Sequence, residues 1–302
     1  MKLTQLRDFA AVAERGGLRR AARHLGVAQP GITRSIRELE HELGATLFER
    51  RATGMVLTPI GEAFLRRSVA AQQELERARD EVRQLKGFAT GTVSVGMSTA
   101  PHVSMLPRAL ESFRKRFPDV RLRLIEGLFP SLESGLRDGS IDFYVGPLGE
   151  EGKTDEFIVE QLFENFRVVV SRPGHPLAKA TRLAELVDAH WVATSVTSSS
   201  EAELNPVFEA HNLPHPAIAV QAQTALTMIT VASSTDLLAM LPEQWLEFVN
   251  RTQLLTKINL TEALIAPPIC IVHRARLPLT PVAEKFADLL RLAALNRREM
   301  SG

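Results

Sequence analysis

Three short helical patterns, each followed by glycine, occupy the first 44 residues and constrain the fold more than any other feature of the sequence. The first pattern covers about residues 4–15, the second covers Leu18–Leu25, and the third begins at Gln29-Pro30 and ends before Gly44. Glycine adopts the left-handed conformation after a helix at little cost, so each pattern predicts a helix with a defined end. Two short helices joined by a tight turn are typical of a helix-turn-helix.

The third helix has two different faces. Its apolar residues follow helical spacing and are predicted to face a core: Ile32, Ile36, Leu39 and Leu43. The exposed first turns carry Gln29, Pro30, Thr33, Arg34 and Arg37. Glutamine pairs with adenine, and arginine with guanine, through two hydrogen bonds each in the major groove. We therefore predict a DNA recognition helix, the alternative being a solvated helix face that binds nothing.

A short hairpin is predicted over residues 47–58. Arg50 and Arg51 lie on the strand that leads into its tip, and apolar residues lie on the strand that leads out of it, which is typical of the wing in a winged helix-turn-helix. We expect these two arginines to contact DNA phosphates or the minor groove rather than base edges in the major groove.

A long helix follows, with Thr58 as its N-cap and Pro59 at its first position. It contains no glycine or proline between Glu62 and Lys86. A heptad register places the following residues at positions a and d: Gly61, Phe64, Ser68, Ala71, Leu75, Ala78, Val82 and Leu85. The surrounding positions are charged, so we predict that this helix pairs two copies of the chain.

Composition narrows the class of protein. The hydrophobic fraction is 45% and the charged fraction 24%, as in globular proteins. Residues 1–88 hold 16 basic and 11 acidic side chains, whereas the remainder is net acidic, which favours a polyanion-binding module at the N-terminus. The single cysteine, Cys270, excludes an internal disulfide, and no apolar run suits a membrane helix or signal peptide. We therefore expect a cytoplasmic protein.

From Gly91 onward the pattern alternates between strands and helices. This order predicts α/β architecture with parallel sheets and ligands at the carboxyl ends of the strands, and about 210 residues suggest two lobes. The predicted strands are 92–96, 120–126, 143–145, 167–171, 191–194, 218–221, 237–240 and 269–273. Ser98 and Thr99 follow the first of them and precede a predicted helix, whose free N–H groups would favour an anion.

Residues 3–65 resemble the DNA-binding domain of the LysR-type transcriptional regulators. The matching residues are Leu6, Phe9, Val12-Ala13, Gly17, Ala21-Ala22, Leu25-Gly26-Val27, Gln29-Pro30, Thr33-Arg34, Ile36, Leu39-Glu40, Leu43-Gly44, Leu47-Phe48-Glu49-Arg50, Leu57-Thr58 and Gly61. Later matches are Leu106-Pro107, Phe117-Pro118, Leu136-Arg137-Asp138-Gly139, Asp142, His175-Pro176-Leu177-Ala178, Leu241-Pro242 and Pro281. The resemblance therefore spans nearly the whole chain.

The resemblance implies three parts. These are a winged helix-turn-helix at residues 1–58, a linker and dimerisation helix at 59–88, and a two-lobed, periplasmic-binding-protein-like α/β effector domain at 89–302. Lobe I would comprise 89–162 and 267–302, and lobe II 163–266. The implied effector contacts are Ser98, Thr99, Leu128, Phe129, Gly146, Pro147, Ser195, Val196 and Thr197. Thr224, which follows the predicted strand 218–221, is a weaker candidate.

The implied function is ligand-controlled binding to promoter or operator DNA. The resemblance suggests a small, anionic organic acid as effector, a dimer through the linker helix, a tetramer, and RNA polymerase as a candidate partner. We expect no membrane association, cofactor, metal or catalytic residue. Two departures concern DNA contacts, since family members usually carry serine where this chain has Gly17 and Ala28.

Two other functions are compatible with the domain pattern. One is a cytoplasmic small-molecule binding protein that does not read DNA, its basic N-terminus serving only oligomerisation. The other is an α/β enzyme with its site between the lobes. The arginines of the third helix and the wing favour the regulator. The chain also contains neither a phosphate-binding glycine loop nor a nucleophile elbow, which weighs against the enzyme.

Overall fold

The computed structural model describes residues 1–51, 54–194 and 201–300. The chain divides into two compact units, one formed by Met1–Lys86 with Arg137–Ser140 and the other by the remaining residues. Within the described ranges, no helix is long and apolar enough to cross a membrane.

The N-terminal unit contains four helices and one hairpin within its described residues. They are α1 (Leu3–Arg15), α2 (Leu18–Leu25), α3 (Gln29–Leu43), β1 (Phe48–Arg51), β2 (Gly54–Leu57) and α4 (Pro59–Leu85). Gly16, Gly26 and Gly44 have φ values of 64°, 67° and 63°, which confirms the predicted helix ends. The Thr58 hydroxyl accepts a hydrogen bond from the Gly61 N–H at 2.9 Å, so Thr58 is the predicted N-cap of α4.

The core of this unit forms around Phe9. The Phe9 ring lies 5.2 Å from that of Phe48 and 5.3 Å from that of Phe64, which joins α1 to the hairpin and to α4. Three of the four predicted apolar residues of α3 are buried in the same core: Ile32, Ile36 and Leu39. The prediction for Leu43 is wrong, because this side chain is 39% exposed in the last turn of α3, where the chain turns away at Gly44.

The second unit alternates strands and helices, as predicted. Its strands are β3 (Gly91–Met97), β4 (Val120–Glu126), β5 (Phe143–Pro147), β6 (Phe157–Ser171), β7 (His190–Thr194), β8 (Ala217–Ala222), β9 (Leu238–Pro242), β10 (Thr256–Ile258) and β11 (Leu264–Arg274). Its helices are α5 (Thr99–Ser104), α6 (Leu106–Arg116), α7 (Phe129–Asp138), α8 (Glu201–Ala210), α9 (Ala225–Ser234), α10 (Leu246–Thr252) and α11 (Pro281–Met300).

Two groups of parallel strands are joined by two long antiparallel strands. In lobe I, β3 pairs in parallel with β4 and β5; in lobe II, β7 pairs in parallel with β8 and β9. β6 and β11 run antiparallel to each other and link the two groups in the order β4-β3-β5-β11-β6-β9-β7-β8. The predicted parallel strands thus form both groups, whereas β6 and β11 are antiparallel because a chain that enters the second lobe and returns must reverse its direction.

Each lobe has its own aromatic core. In lobe I, Phe286 of α11 packs edge-on against Phe113 of α6 at 4.8 Å. In lobe II, Trp191 of β7 packs against Phe208 of α8 at 5.6 Å. The two cores fix the parallel strand groups, so that the strand ends and the helices after them position the functional residues.

Candidate DNA-binding face and effector cavity

The polar face of α3 is exposed to solvent because the opposite, apolar face of the helix packs in the core. Gln29, Pro30, Arg34 and Arg37 are exposed, and Thr33 is half-buried with its hydroxyl donating to the Gln29 carbonyl at 3.1 Å. The first three turns of α3 therefore offer an amide and two guanidinium groups on one side, and pack against the core on the other.

Arg34 is paired within its own helix. Its Nε donates to the Glu38 carboxylate at 2.6 Å, while 83% of the arginine side chain is exposed. The same hydrogen bond lowers the pKa of Glu38 and raises that of Arg34, so both groups stay charged at neutral pH. A carboxylate thus lies on the face that is predicted to meet a polyanion.

Removing this negative charge is expected to strengthen DNA binding. We expect Glu38→Gln to raise affinity for any duplex about two- to fivefold at low salt, because a repulsive charge near the phosphates is lost and salt screens it. Fluorescence anisotropy with specific and unrelated duplexes measures the effect. Glu14→Gln removes an exposed charge from α1 and is the control; equal effects of both variants would show that Glu38 lies far from DNA.

The start of α3 lacks a side-chain cap. Ala28 occupies the N-cap position with φ −72° and ψ 135°, and no side chain there accepts a hydrogen bond from the helix. These angles suit serine, whose hydroxyl accepts from the second or third N–H of a helix. The departure from serine at this position therefore leaves the first turn of α3 less stable.

Serine at position 28 is expected to stabilise α3. Ala28→Ser should add about 1 kcal/mol to the free energy of opening the first helical turn. Hydrogen exchange of the α3 amides in the full chain measures this, and exchange should slow roughly fivefold. Ala28→Val keeps the extended backbone without a cap, so a similar protection from valine would contradict the capping explanation.

The wing lies against the turn between α1 and α2. The Met55 N–H donates to the Gly16 carbonyl at 3.2 Å, and a β-carbon at Gly54, which has φ 128°, would stand 2.6 Å from the same oxygen. Glycine is therefore required where the hairpin approaches this turn. Arg50 and Arg51 are both exposed, and Arg51 pairs with Glu49 at 3.0 Å.

The second half of α4 exposes apolar side chains. Leu75, Val82 and Leu85 are 43%, 53% and 73% exposed, at the heptad positions that the sequence predicts for pairing. Gly61 and Ser68, from the same predicted register, are buried within the N-terminal unit instead. A β-carbon at Gly61 would meet the Leu47 carbonyl at 2.1 Å, so its glycine serves a close approach of α4 to the hairpin.

A cavity of about 210 Å³ lies where the two strand groups of the second unit meet β6. It combines polar residues from the strand ends with an apolar wall. Its lining residues are Ser98, Thr99, Ala100, Glu126, Gly127, Leu128, Pro147, Asn165, Arg167, Gln223, Thr224, Ala225, Met228, Met240 and Pro242. The cavity therefore brings together five of the residues predicted as effector contacts: Ser98, Thr99, Leu128, Pro147 and Thr224.

Ser98 is the N-cap residue of α5, a helix of only six residues. Its N–H donates to the Val145 carbonyl at 2.9 Å, whereas the free N–H groups expected from the sequence belong to the first turn of the helix and stay a prediction. The Ser98 hydroxyl is buried beside the Tyr144 hydroxyl but forms no well-formed hydrogen bond. Burial raises the pKa of Tyr144, and the nearby Ser98 hydroxyl offsets part of this increase.

The strand β6 adds two polar residues that the sequence reasoning missed. Asn165 is 3% exposed; its Nδ2 donates to the Pro267 carbonyl at 3.1 Å, whereas its Oδ1 accepts no hydrogen bond. Arg167 is half-buried and lines the same cavity. Glu164, Asn165 and Arg167 all lie among apolar residues at 162–170, so residue type alone did not distinguish the buried amide.

Other predicted contact residues lie outside this cavity. Phe129 is 4% exposed and packs against Tyr144 and Phe157, each at 5.6 Å, so it supports lobe I. Gly146 is buried, and a β-carbon there would stand 2.1 Å from the Tyr144 hydroxyl oxygen. The predicted contacts Ser195, Val196 and Thr197 lie outside the described residues. Thr224, which does line the cavity, also caps α9 by accepting from the Thr227 N–H at 3.2 Å.

Neither a metal site nor a reactive thiol is evident in the described ranges. They contain no cluster of three or more side chains able to hold a metal ion. Burial raises the pKa of the Cys270 thiol to about 11, which suppresses the thiolate needed of a nucleophile or redox sensor.

Comparisons with known proteins identify one family. Residues 3–62 match the bacterial regulatory helix-turn-helix protein, lysR family, and residues 86–294 match the LysR substrate binding domain. The HTH-type transcriptional regulator GbpR of Azospirillum brasilense is 26% identical over 297 residues, covering 97% of this chain and 87% of that protein. The regulator PcaQ of Agrobacterium fabrum is 36% identical over 178 residues, covering 59% and 57% of the two chains.

Solved structures show the same fold. The crystal structure of full-length CbnR in complex with its target DNA has a TM-score of 0.74 and 23% identity to this chain, covering 97% of it and 100% of CbnR. CbnR is itself a LysR family transcriptional regulator. The two domain matches, which together span nearly the whole sequence, confirm the resemblance: this chain belongs to the LysR family of transcriptional regulators, with an N-terminal helix-turn-helix and a C-terminal effector-binding domain.

Proposed function

We propose that this regulator reads promoter DNA with α3 and the wing, and that a small organic acid in the cavity controls its activity. The exposed face of α3 carries the proposal. Arg34 and Arg37 are three residues apart, which places their β-carbons about 5–6 Å apart, so their guanidinium groups can reach neighbouring base pairs. Gln29 and Thr33 extend this face toward the start of the helix, while Arg50 and Arg51 reach the backbone from the wing.

A binding experiment with the chain's own promoter region tests this assignment. A labelled duplex from that region should be retained in the presence of excess unrelated DNA, and its affinity should fall steeply with salt. Equal displacement by unrelated DNA would favour the alternative, a small-molecule binding protein without DNA readout.

The assembly follows from the need to reach two half-sites. We assign residues 1–58 to DNA binding, 59–88 to pairing through α4, and 89–302 to effector binding, with a dimer as the unit and a tetramer as the complete assembly. The exposed apolar positions on α4 support the pairing. We assign no catalytic activity, and we place the protein in the cytoplasm because a promoter-binding protein must reach the chromosome.

The effector site combines one cation with an apolar wall. Arg167 supplies a guanidinium group suited to a carboxylate, and Met228 and Met240 supply adaptable apolar surface. An apolar cavity of about 150 Å³ holds benzene, so about 210 Å³ fits a small acid of one ring or a short branched chain. Only an effector with different affinities for two arrangements of the lobes shifts the DNA-binding state.

The hydroxyl groups at the end of β3 are expected to contribute to effector affinity. The double change Ser98→Ala with Thr99→Val should weaken binding at least tenfold, or roughly 1.4 kcal/mol, because it removes the hydroxyls of two residues that line the cavity. Calorimetry would use the carboxylic acid that gives the largest thermal shift in a screen of small organic acids. DNA binding without effector should stay unchanged.

The control for this change is Ser234→Ala, which removes an exposed hydroxyl from the end of α9. It should leave the dissociation constant as in the unmodified protein. Equal constants for the double variant and the unmodified protein would place the effector away from Ser98 and Thr99.

A further inference from the structure

The carbonyl oxygen of Gly16 accepts two hydrogen bonds from different parts of the DNA-binding unit. One comes from the Met55 N–H of the wing at 3.2 Å, and the other from Nη2 of Arg20, in the first turn of α2, at 2.8 Å. A carbonyl oxygen has two lone pairs, so both donors bind it at once. The guanidinium group also approaches the wing itself, because a β-carbon at Gly54 would stand 3.5 Å from Nη2. Arg20 therefore lies where the helix-turn-helix meets the wing.

The peptide bond that carries this carbonyl lies between two glycines, Gly16 and Gly17. Glycine lacks a β-carbon, so its backbone angles are restricted less than those of any other residue. Rotation of this peptide plane would turn the carbonyl away from the Met55 N–H and remove the contact between the wing and the turn. The hydrogen bond from Arg20 opposes this rotation, because it holds the oxygen from a second direction.

The contact at Gly16 acts on the part of the wing that carries its arginines. In the hairpin, Met55 is paired with Arg50, and Gly54 is paired with Arg51. Both residues that approach the Gly16 carbonyl therefore lie directly across the hairpin from an arginine that we assign to DNA. The orientation of one carbonyl thus affects where both guanidinium groups stand.

An arginine at position 20 does not stabilise α2. Positive side chains in the first turn oppose the helix dipole, yet α2 has Arg19 and Arg20 there and no acidic residue. Within the described part of the chain, Arg20 pairs with no carboxylate and donates to Gly16 alone. From this arrangement, and resting on the proposed function, we propose that Arg20 is a positioning residue. It fixes the Gly16 carbonyl and thereby sets the orientation in which Arg50 and Arg51 reach the DNA backbone.

Hydrogen exchange at the Met55 amide of the full-length protein, measured without DNA, tests this role directly. Arg20→Met retains the length of the side chain but has no donor, so the Met55 amide should exchange about threefold faster. Arg19→Met removes the same charge from the same turn and leaves the hydrogen bond to Gly16 in place. This control should exchange like the unmodified protein. Equal exchange in both variants would overturn the positioning role.

Alanine at position 17 restricts the same peptide bond in a different way. The extended angles of Gly17, φ 172° and ψ 147°, suit alanine, and its β-carbon would lie 3.7 Å from Arg20 Nε, an ordinary contact. Gly17→Ala should therefore restore most of the protection that Arg20→Met removes, because a residue with fewer accessible angles replaces the lost hydrogen bond. No recovery in the double variant would contradict a role through this peptide bond.

Promoter binding shows whether Arg20 acts through the wing. Arg20→Met should lower promoter affinity about fivefold in the otherwise unmodified chain, but less than twofold when Arg50→Ala and Arg51→Ala are already present. Equal losses in both backgrounds would show that Arg20 contacts DNA phosphates itself, and no loss in either would also overturn the proposal. Absence of promoter binding by the unmodified protein would overturn the proposed function, whereas exchange at Met55 still decides whether Arg20 holds the wing.

Discussion

Replacement of Leu75 and Val82 by glutamate is expected to produce monomers and to lower promoter affinity at least a hundredfold. Both side chains are exposed on α4 and lie seven residues apart, on one stripe of the helix. In a paired helix, four added carboxylates would face each other across the contact and remove its apolar surface. Linked recognition helices gain about 10²–10⁴ in avidity, which a monomer loses.

The double glutamate variant should still fold. Glutamate is a good helix former, and the two positions are not part of the N-terminal core. Sedimentation velocity measures assembly and anisotropy measures promoter affinity. Leu75→Ile with Val82→Ile retains the apolar stripe and should remain dimeric. A glutamate variant that sediments and binds DNA like the unmodified protein would move the pairing surface away from α4.

Local signals in the sequence predicted most of the DNA-binding unit. Gly16, Gly26 and Gly44 end helices through their own backbone preference, and Thr58 caps α4 through an atom three residues away. Such contacts depend on neighbours along the chain, so a residue pattern suffices to predict them. Gly61 shows the limit of such prediction. The heptad register assigns it to helix pairing, but the residue lies where α4 closely approaches the Leu47 carbonyl.

The cavity that we propose as the effector site could be predicted only in part, because much of it depends on contacts between residues distant in sequence. Asn165 lines the cavity, and its amide donates to the carbonyl of Pro267, which lies 102 residues further along. The reversal of direction at β6 and β11 likewise follows from how the chain connects two lobes. The family resemblance supplied Ser98 and Leu128, but neither spacing nor composition marked Asn165 or Arg167.

Loss of the Arg34 side chain is expected to abolish specific promoter binding while leaving the fold intact. Arg34→Ala removes a side chain that is 83% exposed, opens no cavity, and introduces the best helix former. A bidentate arginine–guanine contact contributes about 1–3 kcal/mol of discrimination. Because a dimer presents two recognition helices, we expect a loss of roughly 2–6 kcal/mol in specific binding.

The same change also leaves Glu38 without its partner. The unpaired carboxylate then repels phosphates, so Arg34→Ala combined with Glu38→Gln should recover nonspecific affinity but not specificity. Arg34→Lys separates charge from geometry, because lysine retains the positive charge but cannot form the two-pronged contact. We expect its specificity to resemble that of alanine and its salt dependence to resemble that of arginine. If the lysine variant discriminates the promoter as well as arginine does, Arg34 contacts phosphate and the base-reading side chain is elsewhere on α3.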